Sequence, residues 1–195
     1  MSNWPLMFQP LAKYAMFEGR SRRSEFWLWV LFRFILNAVL GSVVGSVVLS
    51  GLPMMQSHPE IFFANYMRVM PIFSLVGLAL LIPTLAVAVR RLHDSNRTGW
   101  WLIAPYAAAM AGVIIFFILF GAQIFHIAQQ GHEMTDAEGL AFAGGLFGTL
   151  LLCLLPAIIC DIVLLVFFLL DGTAGPNRFG PDPKGRGVTP QTEVF

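Results

Sequence analysis

Apolar residues gather into four long runs along the chain, at about residues 26–48, 71–89, 100–120 and 151–170, separated by segments that hold most of the charges. Each run reaches the roughly 20 residues that a helix needs to cross a bilayer. Lipid offers no partner for free backbone N–H and C=O groups, so each run is predicted to be helical. The pattern predicts an all-α fold: an integral membrane four-helix transmembrane bundle, with an N-terminal interfacial helix and a Gly/Pro-rich cytoplasmic tail. All 195 residues then form a single membrane domain, with 1–25 as a cytoplasmic interfacial segment and 171–195 as the tail. The run at 26–48 is too long for the apolar core of a cleaved leader and no A-x-A site ends it, so it reads as a retained signal anchor.

Lysine and arginine set the orientation. The connecting segments carry four (Lys13, Arg20, Arg22, Arg23), one (Arg68), three (Arg90, Arg91, Arg97), none, and three (Arg178, Lys184, Arg186) in chain order. This alternation predicts both termini in the cytoplasm, with ten of the twelve basic residues on that side. Trp27, Trp29, Trp100 and Trp101 fall at span ends, as aromatic belts do.

The segments between the spans carry their own signals. Trp4, Met7, Phe8, Leu11 and Tyr14 recur at helical spacing and predict an interfacial helix over 4–17, with Pro10 at an early helical position. Ser21 is a candidate N-cap for the first span. Ser57-His-Pro-Glu60 and Thr135-Asp-Ala-Glu138 have the spacing of capping boxes. The first predicts a short surface helix over about 58–70 that feeds into the second span at Pro71. The second starts the last helix outside the bilayer, where Gly144, Gly145 and Gly148 are expected to break or bend it before Pro156 kinks it. After Leu170, Gly172 is placed to end the helix, and the Gly and Pro residues that follow favour turns. No internal repeat is visible.

Composition narrows the functional class. Hydrophobic residues are 57% of the chain and charged residues 12%, with a mean hydropathy of +0.72. A disordered chain is excluded and a soluble globular domain is disfavoured. The net charge of +1 points to no nucleic-acid partner. Cys153 and Cys160 lie in an apolar run and read as small core residues, not as a disulfide or a metal site. Met54, Met55, His58, Met67 and Met70 offer soft ligands at irregular spacing, and His126, His132, Glu133, Asp136 and Glu138 read as a solvated loop. No metal and no cofactor is expected.

Asp161 falls near the middle of the last span, where a carboxylate costs roughly 2.5–3.5 kcal/mol. Arg33 and Asn37 lie four apart on the first span, with Gly41 and Gly45 continuing their face. These three intramembrane polar residues, Arg33, Asn37 and Asp161, are expected to join spans one and four as helix glue. A proton or ion path is the sharper alternative.

Three phrases stand out on the predicted cytoplasmic side: Phe17-Glu-Gly-Arg-Ser-Arg-Arg-Ser-Glu-Phe-Trp27, Arg90-Arg-Leu-His-Asp-Ser-Asn-Arg-Thr-Gly-Trp-Trp101 and Gly175-Pro-Asn-Arg-Phe-Gly-Pro-Asp-Pro183. Through them the chain resembles the domain of unknown function 805, a group of small bacterial inner-membrane proteins. That family has an F-x-G-R-x-x-R-x-E-[FY]-W opening, an R-R-L-H-D segment ending S-G-W-W, and an N-R-[FY]-G-x-D-P phrase after the last span. Thr98 replaces the more frequent Ser. The resemblance implies a multi-pass inner-membrane protein and brings no catalytic residues.

The residues themselves suggest three readings. Arg20, Arg22, Arg23, Arg90, Arg91, Arg97 and Arg178 can converge at the inner leaflet, with Glu18, Glu25, Asp94, Asp171 and Asp182 available to pair with them. The short loop with Asp94, Asn96 and Gly99 predicts a tight turn held by Asx-type bonds. A structural clamp is the first reading. A candidate site for an anion or lipid headgroup, formed by Arg20, Arg23, Arg90, Arg91, His93, Asp94, Arg97 and Arg178, is the second. Catalysis through His93 and Asp94 is the third, but no nucleophile, zinc motif or P-loop accompanies them. The functional expectation is a non-enzymatic structural or interaction protein with membrane lipid, its own copies or another membrane protein as partner. The alternatives are an anionic lipid or small-solute binding or transport protein, and a membrane enzyme acting on a phosphate-bearing lipid.

Overall fold

The computed structural model describes residues 5–130 and 135–186, which form two compact units. Trp4, His132, Glu133 and the side chain of Met54 lie outside the described residues. Unit one holds the chain up to Arg97 and the tail from Asp171; unit two is Thr98–Leu170. Among the described residues four helices are long and apolar enough to cross a membrane.

In unit one a 3-10 turn, Leu6–Phe8, leads into α1, Gln9–Ala12, followed by α2, Arg23–Ser57, and α3, Pro59–Asp94. At 1.5 Å per residue α2 and α3 each extend about 50 Å, well beyond an apolar core of about 30 Å. They run antiparallel. Trp29 on α2 donates its Nε1–H to Thr84 Oγ1 on α3 at 3.1 Å, and Gly51 near the far end of α2 lies against Phe62.

The helical stretch before α2 ends at Ala12, not near residue 17. Pro10 does stand in the first turn, and it is buried. Phe8 sets its ring edge-on to Phe32 of α2 at 5.3 Å, and the Tyr14 hydroxyl donates to Ala79 O of α3. The segment is thereby docked on both long helices.

Several local expectations change. Ser21 does not cap α2: its backbone N–H is drawn to Arg90 O at 3.1 Å and its side chain is buried. The N-cap of α3 is His58 with no side-chain cap, because α2 runs through Ser57. No separate surface helix precedes Pro71. α3 is continuous through Pro71 and Pro83, so the surface-helix expectation merges into one long element. Trp29 is fully buried, not part of an aromatic belt, because its face of α2 is the one that packs on α3 and Thr84 satisfies its N–H.

Unit two is a helical hairpin. A 3-10 turn, Gly99–Leu102, leads into α4, Ala104–Gln130, and α5, Asp136–Leu169, runs back along it. Trp101 meets Phe167 edge-on at 5.1 Å, and Phe120 lies 6.2 Å from Phe142 at the other end. Between them Gly112 allows α4 to approach the backbone carbonyl of Cys153. The Thr135 capping box forms as its spacing predicts: Glu138 N–H donates to Thr135 Oγ1 at 3.3 Å, and Thr135 N–H to Glu138 Oε2 at 2.9 Å. Gly144, Gly145 and Gly148 do not break α5, which is also continuous through Pro156.

Candidate functional site

The three sequence phrases meet at one place, the C-terminus of α3. Helix ends leave carbonyls without intrahelical partners, and each buried one needs a donor. Here the donors come from both neighbouring phrases. Arg90 O, one residue before the last four carbonyls, accepts the Ser21 N–H as an additional bond. His93 O accepts the Asn177 side-chain amide at 2.9 Å. Asp94 O accepts the Thr173 N–H at 2.9 Å and an Arg20 Nη2–H at 3.4 Å.

The helix itself closes with Asn96 in the left-handed region, at φ 58°. The Arg97 N–H reaches back to Leu92 O at 2.9 Å and the Asn96 N–H to His93 O at 3.0 Å. This is the Schellman pattern, with Asn in place of the usual Gly. The predicted turn is therefore real but differently built. Asp94 is the last helical residue, and its side chain makes no Asx turn because two arginines hold it.

Arg20 is the centre of the network. Its Nε and Nη2 both lie 2.9 Å from Asp94 Oδ1, its Nη1 donates to Gly175 O at 2.7 Å, and its Nη2 donates to Thr173 O at 2.6 Å. Asp182 stands 4.0 Å away. The second Asp94 oxygen accepts from Arg91 Nη1 at 2.6 Å. Arg90 pairs with Glu25 at 3.2 Å and donates to Met16 O at 3.1 Å. Arg20, Glu25, Arg90, Arg91 and Asp94 are all buried, so these charge-assisted bonds work in low dielectric and each partner is needed by the other.

The rim is looser. Arg23 pairs with Asp171 at 3.1 Å, which also accepts from Lys184 at 3.1 Å. The Asp171 carboxyl is held below its ordinary value by the bonds from Lys184 and Arg23. Arg186 Nε donates to Asp182 Oδ2 at 2.8 Å, which lowers the Asp182 carboxyl to about 2 against a partial cost of burial and raises the guanidinium. Glu18 is exposed and makes no bond among the described residues.

The tail folds as a compact turn. The Asn177 and Gly180 backbones exchange two hydrogen bonds of 3.0 Å, and Asn177 Oδ1 accepts the Phe179 N–H at 2.9 Å. This lays the Phe179 ring flat on His93, with centroids 3.8 Å apart and planes 4° from parallel. Arg178 covers the Phe179 ring at 4.7 Å and donates to Asn96 O at 3.2 Å. His93 Nδ1 lies 3.2 Å from Gly19 O.

The family model described as "Protein of unknown function (DUF805)" matches residues 14–132. The chain belongs to that family. Similar DUF805-type relatives in Escherichia coli strain K12 are the inner membrane protein YhaI, 28% identical over 89% of this chain and 91% of its own length, and the inner membrane protein YhaH, 26% identical over 89% and 92%. The uncharacterized protein YiiR of the same strain is 27% identical over 85% and 84%. No solved structure matches. With its four apolar helices the chain is a multi-pass inner-membrane protein.

Within this DUF805 chain the structure brings Arg20, Arg23, Arg90, Arg91, His93, Asp94 and Arg178 together around one helix end. Arg97 gives the helix its closing backbone bond. Arg33 lies on α2, with its buried Nη1 unmatched among the described residues, and Asn37 follows one turn later. Asp161 lies on α5 and lines a cavity of about 320 Å³ with Leu102, Pro105, Tyr106, Leu164, Leu165 and Phe168. Among the described residues no three of His, Cys, Asp and Glu approach closely enough to hold a metal ion.

Sequence reasoning missed the contacts of Thr173 and Asn177 with the end of α3 and the close approach at Gly172. Residues 175–183 lie beyond the family match, yet the tail supplies much of the capping. A Cβ on Gly172 would fall on the Asp94 carboxylate, so glycine is required there by space and not only as a helix stop. The spacing Asn-Arg-Phe-Gly signals a turn; nothing in it signals that the Asn amide caps a helix eighty residues earlier.

Proposed function

We propose that the chain is a non-enzymatic membrane protein whose arginine-rich end is a structural clamp, and that the clamp presents an interaction surface to a protein partner or to further copies of the chain. The observation that carries this reading is where the arginines are spent. Arg20, Arg90 and Arg91 are sealed from solvent and end on protein carboxylates and carbonyls, as do the more open Arg23 and Arg178. A lipid site made of these same groups would have to break bonds that the fold uses to close α3. No side chain in the network is a free nucleophile aimed at a cleft, so the geometry lends nothing to the enzyme reading.

The orientation is part of the proposal: both termini in the cytoplasm, with the segment before Arg20 lying at the membrane interface. Asp161 and the Arg33–Asn37 face are proposed as helix glue. The clamp leaves Tyr14, Met16 and Phe17 exposed, with the backbone of Met16 tied down by Arg90, which makes a rigid apolar knob. A photo-crosslinking residue at position 16 or 17, in the full chain in its native membrane, tests the reading. Discrete protein adducts of fixed mass are expected, whereas adducts to lipid alone would overturn it. A membrane-impermeant thiol reagent on Glu18→Cys, in a Cys153→Ser/Cys160→Ser background, checks the orientation. Labelling is expected in inverted vesicles and not in intact spheroplasts.

A further inference from the structure

A cavity of about 350 Å³ lies beside the clamp, lined by Leu6, Gln9, Lys13, Arg20, Arg22, Glu25 and Pro183. Its charges do not cancel. Arg20 is matched by Asp94, and Glu25 by Arg90. Lys13 and Arg22 have no carboxylate partner among the described residues. Arg22 spends only its Nε, on Pro183 O at 2.6 Å, which fixes the guanidinium and leaves both terminal amino groups uncommitted. Lys13, half-buried at the end of α1, makes no side-chain bond, and neither does the Gln9 amide above it. Two cations and an amide donor thus face one recess whose volume lies at the lower end of small-molecule pockets.

We propose that this recess is a phosphate site, with Arg22 as a preorganised fork, Lys13 as a point charge and Gln9 as a neutral donor. Arginine's planar donors suit phosphate oxygens, and a lysine ammonium adds charge without demanding geometry. The pair supplies two positive charges, enough for a phosphate diester or monoester. Leu6 gives the recess one apolar side, which suits a phosphate attached to a glycerol and acyl chains as well as a free one. The site is distinct from the clamp: the arginines around Asp94 are occupied, and Lys13 and Arg22 are not.

The test uses the full chain in nanodiscs of phosphatidylcholine with and without phosphatidylglycerol. Retained lipid is counted by native mass spectrometry, and inorganic phosphate binding in pure phosphatidylcholine discs is followed by phosphorus line broadening. Lys13→Gln and Lys13→Gln/Arg22→Gln are compared with Arg23→Gln, a rim cation that does not line the recess. Retained phosphatidylglycerol that falls about tenfold in the double variant, but not in Arg23→Gln, identifies a lipid phosphate. Phosphate broadening with the same sensitivity, and no retained lipid, identifies a soluble phosphate. Binding that is absent in both arms, or indifferent to these substitutions, overturns the proposal. Lys13 makes no contact that folding needs, so Lys13→Gln alone decides if the double variant proves unstable. Failure here would leave the clamp reading untouched, because crosslinking at positions 16 and 17 does not involve this recess.

Discussion

Arg20 Nε and Asp94 Oδ1 stand 2.9 Å apart across 74 residues of chain, and both side chains are buried. The pair joins the N-terminal phrase to the last residue of α3, and Arg91 grips the other carboxylate oxygen. Removing one member strands the rest. Asp94→Asn leaves two buried guanidinium groups facing a neutral amide, and a loss of about 3–5 kcal/mol is expected. Thermal unfolding in detergent measures it. Arg23→Gln at the exposed rim is expected to cost less than about 1 kcal/mol. Equal shifts for the two variants would show that the buried pair is not what holds the end of α3.

Gly172 tests the fit of the tail against the same carboxylate. Gly172→Ala places a methyl group on Asp94, and either the tail or the Asp94 side chain must move. The expected result is proteolytic release of the tail after about residue 171, with α2 and α3 remaining resistant. An undisturbed tail would mean that Asp94 has room to swing, contrary to its contacts with Arg20 and Arg91.

Much of this was legible in the sequence, and the boundary has a physical cause. The four helices follow from apolar length, which needs no knowledge of neighbours. The Thr135 box follows from a local spacing and forms as such. The clustering of Arg20, Arg90 and Arg178 follows from their positions at span ends. Ser21 and Trp29 went the other way because both are decided by tertiary partners: Ser21 by the Arg90 carbonyl, and Trp29 by Thr84. Pairing of each arginine is equally invisible. Asp94 lies in the same phrase as Arg91 and Arg97, and only the folded chain reveals that Arg20 is its second partner. In the sequence Lys13 counts only for topology and Arg22 only as one of seven converging arginines, because a free cation and a spent one look alike there.

Asp182 gives the clamp a pH limit. Its carboxyl is lowered from 3.8 to about 2, chiefly by the bond from Arg186. A carboxyl depressed in the folded state contributes stability that is present above its unfolded value and is lost as the pH falls through the folded one. Tail docking is therefore expected to hold down to about pH 4 and to weaken between there and about pH 2. The anisotropy of a fluorophore attached to the C-terminal segment reports it. Asp182→Asn should show a loosened tail already at neutral pH and a flatter profile below pH 4.

Asn96 separates backbone conformation from side-chain chemistry. It sits at φ 58°, and its backbone N–H closes α3. Left-handed geometry costs an ordinary residue roughly 1–2 kcal/mol, and glycine almost nothing. Asn96→Gly is expected to be near neutral and Asn96→Val to destabilise by at least about 1 kcal/mol, read as a shift in unfolding temperature. If Asn96→Gly were as harmful as Asn96→Val, the amide and not the backbone would be the reason for Asn.

Gly112 carries the corresponding requirement in the α4–α5 hairpin. Seven glycines lie in that unit before Gly148 ends the series, and the sequence marks Gly144, Gly145 and Gly148 only as points where the last helix would break or bend. The structure selects Gly112 instead, since a Cβ there would fall on the Cys153 carbonyl, while a Cβ at Gly144, Gly145 or Gly148 meets nothing on α4 within 4 Å. Backbone cannot yield as a flexible side chain does, so Gly112→Ala must push the helices apart, at an expected cost of about 1–3 kcal/mol. Gly145→Ala removes a flexible point from a continuous helix and is expected to stabilise it by roughly 0.5–1 kcal/mol. Opposite signs for these two substitutions in unfolding of the full chain are the expected result. A matching loss for both would mean that α5 needs its glycine cluster for packing, and that Gly112 is not the point that sets the spacing of the hairpin.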